Sequence, residues 1–503
     1  MASLYISKSK YCSAVQCPKM LWLKKNKPEL FDESVMNQTV LDTGNAVGDL
    51  AMGLFGEYTE VPFDKNLSTM IDKTKELLDS DTPVICEASF SNDNCYCAVD
   101  ILKKAANGYD IYEVKSSTSV SDIYIHDAAY QNWVLKKCGL NVTKVSIVHI
   151  NSQYVRHGDL ELDKLFTIED VTTQANEKYQ EVSDRIAYLK DYMNQTAEPL
   201  IEIGPQCSNP YDCGFWGYCS RALPSPNVFD MRGRLNQKKK WQFYYDGLIT
   251  FEDLLHAGVL NDNQQLQAAY EIYEKQPYIE KPSIASFLAN LSYPLYFLDF
   301  ETFQPAIPLY DDSSPYQQIP FQYSLHWIEH EGGELKHTEF LAYPGSDPRR
   351  ALAEHLCQDI PLGVCTTAYN MGFEKGRIRE MASLFPDLKC HLMDIHDHIC
   401  DLMIPFQQKW YYTKAMQGSY SIKYVLPALF PNEETLDYHN LEGVHNGGEA
   451  SGAFLAMQSM NDKEIEEWRG HLFKYCGLDT FAMVKVWEKL CEVSGVHFDK
   501  TWS

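Results

Sequence analysis

Short apolar runs, rich in aromatic and β-branched residues, recur along the chain and predict buried strands. One of them, at residues 295–302, reads Leu-Tyr-Phe-Leu-Asp-Phe-Glu-Thr and ends on two acidic residues. Longer stretches between the runs carry apolar residues at helical spacing. The strand-like runs lie at residues 83–90, 95–102, 109–117, 142–150, 295–302, 321–328, 334–343 and 365–369, and the helical stretches at 41–55, 126–138 and 475–490. The two patterns together predict an α/β fold.

The strand at residues 295–302 carries the first candidate chemistry. Asp299 and Glu301 are two residues apart, so their side chains point to the same face of a strand. Two carboxylates on a core strand repel each other, and burial raises the cost of charging both. A divalent cation removes this cost, because hard cations bind oxygen ligands and a metal pair can bracket a phosphodiester. The pattern therefore indicates a metal site, although an ordinary pair of acids at a strand end looks the same.

A second group of candidate residues lies in the first half of the chain. Asp100 lies on one predicted strand, and the Asn-Gly pair at residues 107–108 predicts a tight hairpin turn into the next. On that next strand, Glu113 and Lys115 share a face. The acids are suited to bind Mg²⁺ or Mn²⁺, and the lysine to stabilise negative charge on a phosphate. Glu87, on the preceding strand, is either a further ligand or a surface carboxylate.

The cysteines favour a metal or cluster site over disulfides. The chain has 15 of them, an odd number, and no secretory pattern precedes them. Cys207, Cys213 and Cys219 occur at two equal gaps in a segment rich in Pro, Gly and aromatic residues. Zinc sites favour shorter gaps between paired cysteines. A loop with three more widely spaced thiolates suits the larger [4Fe–4S] cluster, which needs a fourth ligand. Structural zinc and unligated thiols are the alternatives.

Composition and charge limit the function classes. The chain has 503 residues, 45% of them hydrophobic and 22% charged, which is typical of a globular protein. It has neither a membrane-spanning stretch nor a signal-peptide core, so we expect a cytoplasmic protein with no membrane partner. The net charge of −25 argues against a broad basic surface for nucleic acid. A nuclease whose basic groups are confined to a groove remains compatible with this charge.

The chain is longer than a domain with a single hydrophobic core usually is, so several domains are expected. Pro224, Pro226 and Gly233, followed by the lysines at 238–240, indicate an exposed linker. Apolar stripes after this segment indicate helices. We therefore predict an N-terminal domain at 1–225, a helical connector at 226–290 and a C-terminal domain at 291–503.

The first half of the chain resembles the RecB-like branch of the PD-(D/E)XK nucleases. Asp100, Glu113 and Lys115 match the catalytic motif, and Gln131 on the following helix matches the family's glutamine. Leu135 stands where that family usually has a tyrosine. The resemblance implies a restriction-endonuclease-like fold in which the two acids bind metal and Lys115 and Gln131 assist catalysis.

The resemblance extends to the cysteines. In iron–sulfur RecB-like nucleases, including the CRISPR-associated ones, one N-terminal cysteine joins three C-terminal cysteines around the cluster. Cys17, which precedes a proline, matches the N-terminal ligand best, and Cys12 is the alternative. The resemblance thus implies a [4Fe–4S] cluster bound by Cys17, Cys207, Cys213 and Cys219.

The second half of the chain resembles the DnaQ-like DEDD exonucleases. Asp299 and Glu301 match the first motif, and Glu374 lies in the second, where the family normally has aspartate. Tyr475 and Asp479, four apart on a helix, match the third. The resemblance implies an RNase H-like fold in which the four acids bind metal and the tyrosine orients the attacking water.

Two further residues of this half are candidates for the same site. Asn370 belongs to the second motif, and Asp394 lies on a later apolar stretch. The segments at 418–430 and 446–451, taken with the motifs of both halves, make the chain similar to a bacterial family called domain of unknown function 2779. That resemblance covers nearly the whole chain.

These resemblances imply a two-domain, metal-dependent nuclease that degrades or processes DNA ends or single strands. They also imply a role in DNA repair or phage defence, with nucleic acid as the partner. An RNA exonuclease is one alternative. A nucleic-acid-binding or scaffold protein with one or both sites inactive is another, favoured by the departures at Leu135 and Glu374 and by the acidic charge.

Overall fold

The computed structural model describes residues 5–273 and 275–496. This part of the chain has a mixed α/β fold with several sheets. It divides into two compact units, Met1–Leu223 with Pro305–Tyr316, and Pro224–Gln304 with Gln317–Ser503. The predicted domains at 1–225, 226–290 and 291–503 include residues 1–4, 274 and 497–503, which lie outside the described residues. None of the described helices is long and apolar enough to cross a membrane.

A seven-stranded sheet forms the first unit. Its strands are β1 (Ile6–Ser7), β2 (Thr59–Glu60), β3 (Val84–Asn92), β4 (Cys95–Ala105), β5 (Gly108–Lys115), β6 (Val142–Ile150) and β7 (Phe166–Asp170). They follow the order β2-β3-β4-β5-β6-β7, and β1 pairs with β4 beside this path. Strands β3, β4 and β5 are antiparallel, and β6 runs parallel to β5. The predicted hairpin is confirmed, because Ala105 pairs with Gly108 across the turn.

Helices cover both faces of this sheet. They are α1 (Lys8–Gln16), α2 (Pro18–Asn26), α3 (Gln38–Ala51), α4 (Leu67–Asp79), α5 (Asp122–Lys137), α6 (Leu162–Leu165), α7 (Thr172–Glu177), α8 (Tyr179–Tyr192) and α9 (Trp216–Cys219). Successive residues of β5 enter different cores: Ile111 packs with α5, and Tyr112 packs with α3. Glu113 is two residues after Ile111, so it faces α5.

The second unit contains a five-stranded sheet and a separate strand pair. Its strands are β8 (Tyr278–Ile279), β9 (Leu295–Phe303), β10 (Ile319–Ile328), β11 (Leu335–Leu341), β12 (Cys365–Ala368), β13 (Ile399–Asp401) and β14 (Tyr411–Tyr412). The larger sheet has the order β11-β10-β9-β12-β13. Strands β9, β10 and β11 are antiparallel, whereas β12 and β13 run parallel to β9. The acid-bearing strand β9 is therefore central.

Helices also pack on both faces of the larger sheet. They are α10 (Gln237–Tyr245), α11 (Phe251–His256), α12 (Asp262–Ile272), α13 (Lys281–Leu288), α14 (Arg349–Asp359), α15 (Gly372–Leu384), α16 (Lys389–Asp397), α17 (Ile404–Gln407), α18 (Ile422–Leu429), α19 (Gly447–Ala456) and α20 (Asp462–Ser494). Phe297 of β9 packs in the core that contains α20, and Leu298 packs in the core of α14, α15 and α16. By alternation, Asp299 and Glu301 face α20.

The expectation of an exposed linker at residues 222–240 is wrong in part. Val228 and Met231 are fully buried and pack with Phe243, Phe251 and Leu254. The Pro and Gly residues of this segment mark turns, while the apolar residues between them complete a small core with α10 and α11. The predicted connector at 226–290 lies within the second unit.

Candidate functional site

The acids of the second unit meet where β9 faces α20. Asp299 and Glu301 project from one face of β9, and Asp479 comes from the middle of α20. One ligand oxygen from each of the three side chains lies within 4.8 Å of the others. Glu301 is 7% exposed, and the other two residues are half-buried. Three carboxylates at this spacing form a donor set for a hard divalent cation.

Glu374, the predicted fourth acid, lies in the first turn of α15. Its side chain is 2% exposed, and its Oε2 has no hydrogen-bond partner among the described residues. The carboxylate lies outside the group whose ligand atoms approach within 4.8 Å. A buried carboxylate oxygen without a donor normally requires a partner, and a cation would satisfy it.

The pKa values of these acids reflect burial and mutual repulsion. Burial, and then the charges of neighbouring acids, raise the pKa of Asp299 and Glu301 well above the usual range. Burial raises the pKa of Asp479 to about 6 and that of Glu374 to about 8. The charge of Lys423 opposes the shift at Glu301 and Asp479. Without a cation, the centre therefore retains protons at a pH where isolated carboxyls are ionised.

Two tyrosines flank Asp479. Tyr475 lies one turn earlier on α20, as its spacing predicts, and is 4% exposed. Tyr438 donates a hydrogen bond to Oδ1 of Asp479 at 2.6 Å, and its ring centroid lies 6.0 Å from that of Tyr475. Burial raises the pKa of both phenols, so both remain protonated donors near neutral pH. No sequence pattern pointed to Tyr438, because tertiary packing alone brings its segment to α20.

Asn370 and Asp394 lie outside the acid group. Asn370 is exposed in the turn before α15, with φ of 75°, and its backbone N–H donates to Asp401 at 3.0 Å. Asp394 lies on α16 and accepts a hydrogen bond from the backbone N–H of Gly363 at 2.7 Å. Asp401, which the sequence analysis missed, thus holds the turn that begins the helix of Glu374.

The predicted residues of the first unit also come together, where β4 and β5 separate. Asp100 Oδ2 accepts a hydrogen bond from the backbone N–H of Val114 at 2.6 Å. Lys115 Nζ lies 2.7 Å from Glu113 Oε1, and Gln131 Nε2 on α5 donates to Glu113 Oε2 at 2.6 Å. Glu113 is completely buried. Two acids, a lysine and a glutamine therefore share one site.

Lys8, which the sequence analysis missed, enters this site from α1. Its Nζ lies 2.7 Å from Glu113 Oε1 and 3.6 Å from Asp100 Oδ1. Burial lowers the pKa of Lys8, but the charges of the surrounding acids outweigh burial and raise it well above the usual value. The ammonium is therefore charged and lies against both candidate metal ligands. No motif marked it, because it comes from a segment distant in sequence.

Asp127 is a second residue of this site that the sequence analysis missed. It lies on α5, where Oδ2 accepts from Lys115 at 2.6 Å and Oδ1 accepts from Gln131 at 3.0 Å. Its position four residues before Gln131 places both on one helix face, a signal present in the sequence. At Glu113, burial raises the pKa, but Lys115 and Lys8 outweigh it and hold the pKa below the usual range.

Glu87 lies on β3 across from Asp100. Its neighbours Cys86 and Ala88 pair with β4, whereas Glu87 has φ of 55° and interrupts the pairing. Burial raises the pKa of Glu87, and the charge of Glu113 adds to the shift. Burial, and then the charge of Glu113, raise the pKa of Asp100 to about 7. Glu87 therefore belongs to the electrostatic environment of this site.

Four cysteines of the first unit line one cavity. Cys17 precedes α2, and Cys207, Cys213 and Cys219 come from the segment that closes the unit. The backbone N–H of Cys213 donates to the carbonyl oxygen of Cys207 at 2.9 Å. Burial raises the pKa of Cys207, and the charges of Cys17 and Cys219 raise it further. Cys12 is not among the residues that line this cavity.

The spacing of these thiols tests which group they fit. In a tetrahedral zinc site the sulfurs lie about 3.8 Å apart, because each Zn–S bond is about 2.3 Å. Within the described ranges the cysteines form no group of three or more whose ligand atoms lie within 4.8 Å of one another. Four thiols that line one cavity match the number of ligands that a [4Fe–4S] cluster takes.

Comparisons with known proteins give two relatives. Uncharacterized protein MG366 of Mycoplasma genitalium is 27% identical over 210 residues, which cover 38% of this chain and 31% of that protein. Its homolog in Mycoplasma pneumoniae is 27% identical over 206 residues, with the same shares. The chain thus spans about a third of the length of these curated relatives. No solved structure matches the chain.

A family model matches the central part of the second half. The matched residues, 296–421, contain Asp299, Glu301 and Glu374 and end before Asp479. The family is described as Domain of unknown function (DUF2779). The match shows that this part of the chain, residues 296–421, is similar to the DUF2779 family.

Proposed function

We propose that the chain is a metal-dependent nuclease that degrades or processes DNA at two hydrolytic centres, one in each unit. The observation that carries this proposal is the group of Asp299, Glu301 and Asp479, whose ligand oxygens lie within 4.8 Å of one another. Beside them lies the buried and unpartnered Oε2 of Glu374. Folding gathers these repelling acids at a cost, which a bound metal pair would offset.

The second unit is proposed to be an RNase H-like exonuclease of the DEDD type. Its central acid-bearing strand, β9, pairs antiparallel with β10 on one side and parallel with β12 on the other, which supports that fold. Bound Mg²⁺ or Mn²⁺ supplies activation of water and neutralises charge on the phosphodiester. The four acids would hold the cations.

The tyrosines of this centre orient the reacting groups. The hydrogen bond from Tyr438 fixes Oδ1 of Asp479, and Tyr475 also hydrogen-bonds to this carboxyl. Tyr475 stays protonated because its pKa is raised, so its hydroxyl can hold the attacking water by a hydrogen bond. These groups align the water with the phosphorus atom.

The first unit is proposed to be a PD-(D/E)XK nuclease. Asp100 and Glu113 would hold a divalent cation, and Gln131 fixes Oε2 of Glu113. Burial lowers the pKa of Lys115, but the charges of Glu113 and Asp127 outweigh burial and raise it, so the ammonium stays charged. Positive charge at this position stabilises the phosphate as negative charge develops on it.

The cysteine cavity is proposed to hold a [4Fe–4S] cluster with a structural role. Its ligands would be Cys17 at the start of α2 and three cysteines from the last segment of the unit. The cluster would join parts of the chain that are distant in sequence and contribute folding free energy, as a metal clip does.

The test of this function is hydrolysis of end-labelled strands by the full chain, purified without oxygen. In a Lys115→Ala background, Asp299→Ala and Asp479→Ala are each expected to slow degradation of single-stranded DNA at least ~100-fold in Mg²⁺ or Mn²⁺, about 2.7 kcal/mol. Glu467→Ala removes an exposed acid from the same helix as Asp479 and is the matched control. Parental rates in both acid variants would exclude this centre as the catalytic one.

The same assay separates the alternative functions. Faster degradation of labelled RNA than of DNA, abolished by Asp299→Ala, would identify an RNA exonuclease. Binding of strands without hydrolysis in either metal would identify a nucleic-acid-binding protein with inactive centres.

A further inference from the structure

A basic cleft lies in the second unit beside α10 and the segment before α18. Its charged lining residues are Arg232, Arg234 and Lys240, and no acid is among its lining residues in the described part of the chain. Residues 418–421 form the opposite wall, where Tyr420 is 38% exposed. The chain as a whole carries a net charge of −25. Asp230 lines the adjoining cavity, and its charge acts on Lys240. Three cations nevertheless face the cleft with no acid among its own lining residues, which favours an anion as the ligand.

A fourth cation lies behind this wall. Lys409 is 6% exposed, and its Nζ donates a hydrogen bond to the carbonyl oxygen of Gly418 at 2.6 Å. Burial, and then the charge of Arg232, lower the pKa of Lys409 to about 8, and no acid opposes the shift. A buried positive charge without an acidic partner costs stability, and an anion bound in the cleft offsets that cost.

Helix α18 joins the cleft to the acid centre. Lys423, in the first turn of α18, lies close enough to Glu301 and Asp479 for its charge to act on both carboxyls. The next residue, Tyr424, accepts a hydrogen bond from Arg232 at 2.8 Å. The Arg232 guanidinium also lies 4.5 Å from the centroid of the Tyr424 ring. Adjacent residues of one helical turn thus reach from the acids to the cleft.

A second connection runs through the turn before α15. The hydroxyl of Tyr369 donates a hydrogen bond to the carbonyl oxygen of Tyr420 at 2.7 Å. Tyr369 immediately precedes the turn that leads to Glu374. The cleft wall is therefore held to the turn that leads into α15, the helix that carries Glu374.

We propose that this basic cleft binds the phosphodiester backbone of a single-stranded nucleic acid whose terminal nucleotide lies at the acid centre. The inference rests on the nuclease function proposed for the second unit. Arg232 and Arg234 pair with backbone phosphates, and the exposed ring of Tyr420 stacks on a base. Because the cations are concentrated in this cleft, a chain with a net charge of −25 can still bind a polyanion.

The test is fluorescence anisotropy of a labelled single-stranded DNA of about 12 nucleotides, with the full chain in EDTA. Arg232→Ala with Arg234→Ala is expected to weaken binding at least ~10-fold. The slope of log affinity against log salt should fall in magnitude by about 1.4, because each phosphate contact on a single strand contributes about 0.7. Lys281→Ala with Lys463→Ala removes the same charge from exposed positions outside the cleft and is the control, expected to stay within about twofold.

A single variant and a competing mononucleotide complete the binding test. If the double variant does not fold, Arg234→Ala alone takes its place in the test. This change leaves the Arg232–Tyr424 contact intact and is expected to weaken binding of the oligonucleotide. Equal affinity of the cleft variants and the control would overturn the proposal. Displacement of the oligonucleotide by an equal nucleotide concentration of mononucleotide would also overturn it, by assigning the cleft to a free phosphate. Binding in EDTA requires no hydrolysis. A chain that binds the oligonucleotide in this assay but does not degrade DNA in the hydrolysis assay would therefore contradict the nuclease proposal alone.

Discussion

Lys8 places a positive charge against the two acids that would bind a cation in the first unit. Its Nζ lies 2.7 Å from Glu113 Oε1 and 3.6 Å from Asp100 Oδ1. A divalent cation held by the same oxygens must displace this ammonium or bind against its charge. The metal affinity of the site therefore depends on a residue that is not itself a ligand.

We predict that Lys8→Met tightens Mn²⁺ binding to the first unit roughly tenfold, about 1.4 kcal/mol. Methionine keeps an apolar stem of similar length and removes only the competing charge. Isothermal titration in an Asp299→Ala background measures this site with the other centre disabled. Lys10→Met, at an exposed position of the same helix, is the control. Unchanged or weaker Mn²⁺ binding by Lys8→Met would contradict the competition.

Glu374 makes the stability of the metal-free second unit depend on pH. Its pKa is raised to about 8 and that of Asp479 to about 6, with burial as the main cause. Unfolded carboxyls release their protons near pH 4. Between about pH 4 and pH 8 the folded state therefore holds more protons than the unfolded state, and stability falls as pH rises through this window.

We predict that the Tm of the protein in EDTA falls from pH 5.5 to pH 8.5, and that Glu374→Gln reduces this fall. Glutamine has the same shape and loses no proton over the window. Mn²⁺ should raise the Tm of the parent more at the higher pH, because the ligands are then ionised. Glu467→Gln, at an exposed position on α20, should keep the parental pH dependence. An identical fall in Glu374→Gln would show that this carboxyl does not titrate as inferred.

Strands and their motifs were the elements most accessible from sequence. The apolar run at Val142–Ile150 is a strand with the predicted bounds, and the Asn-Gly turn lies between β4 and β5 as expected. Such runs are decisive because both faces of a central strand are buried, so few polar residues interrupt them. Asp299 and Glu301 therefore share one face of a strand, as their spacing predicts.

Residues that depend on long-range packing were not accessible in this way. Lys8 and Tyr438 reach their sites from segments whose local sequence indicates only caps and turns. Residues 305–316 belong to the first unit although the predicted C-terminal domain contains them. Within that unit, Arg156 donates to the carbonyl oxygens of Pro308 and Leu309 at 3.0 and 2.9 Å. Backbone carbonyls have no residue-type signature, so no sequence pattern predicts such a contact.

The start of α2 and the segment that closes the first unit meet at the cysteine cavity. We predict that Cys213→Ala abolishes the iron and acid-labile sulfide of protein purified without oxygen, and makes the first unit more sensitive to limited proteolysis. The reason is that the cluster would join two segments that are distant in sequence and so contribute folding free energy. Cys390→Ala, at an exposed position of the second unit, is the control. Zinc in place of iron in the parent would reject the cluster.

Each of the two units contains its own acid site. Asp100, Glu113 and Lys115 lie in the first unit, and Asp299 and Asp479 lie in the second. Hydrogen bonds within the first unit position Glu113, and hydrogen bonds within the second position Asp479. No described residue of one acid set is required to complete the other, so the two centres should be separable by mutation.

We predict that Lys115→Ala abolishes only the products of the first centre and Asp299→Ala only those of the second. The first change removes a cation that stabilises phosphate charge in the transition state, and the second removes a metal ligand. The double variant should match buffer in product patterns from end-labelled single- and double-stranded DNA with Mg²⁺ or Mn²⁺.

If one single change removes every product, either the other centre is inactive or the two act in sequence on one strand. A pre-resected substrate distinguishes these cases, because a second centre that acts in sequence would then work alone. Residual cutting by the double variant would place the chemistry outside both acid sites.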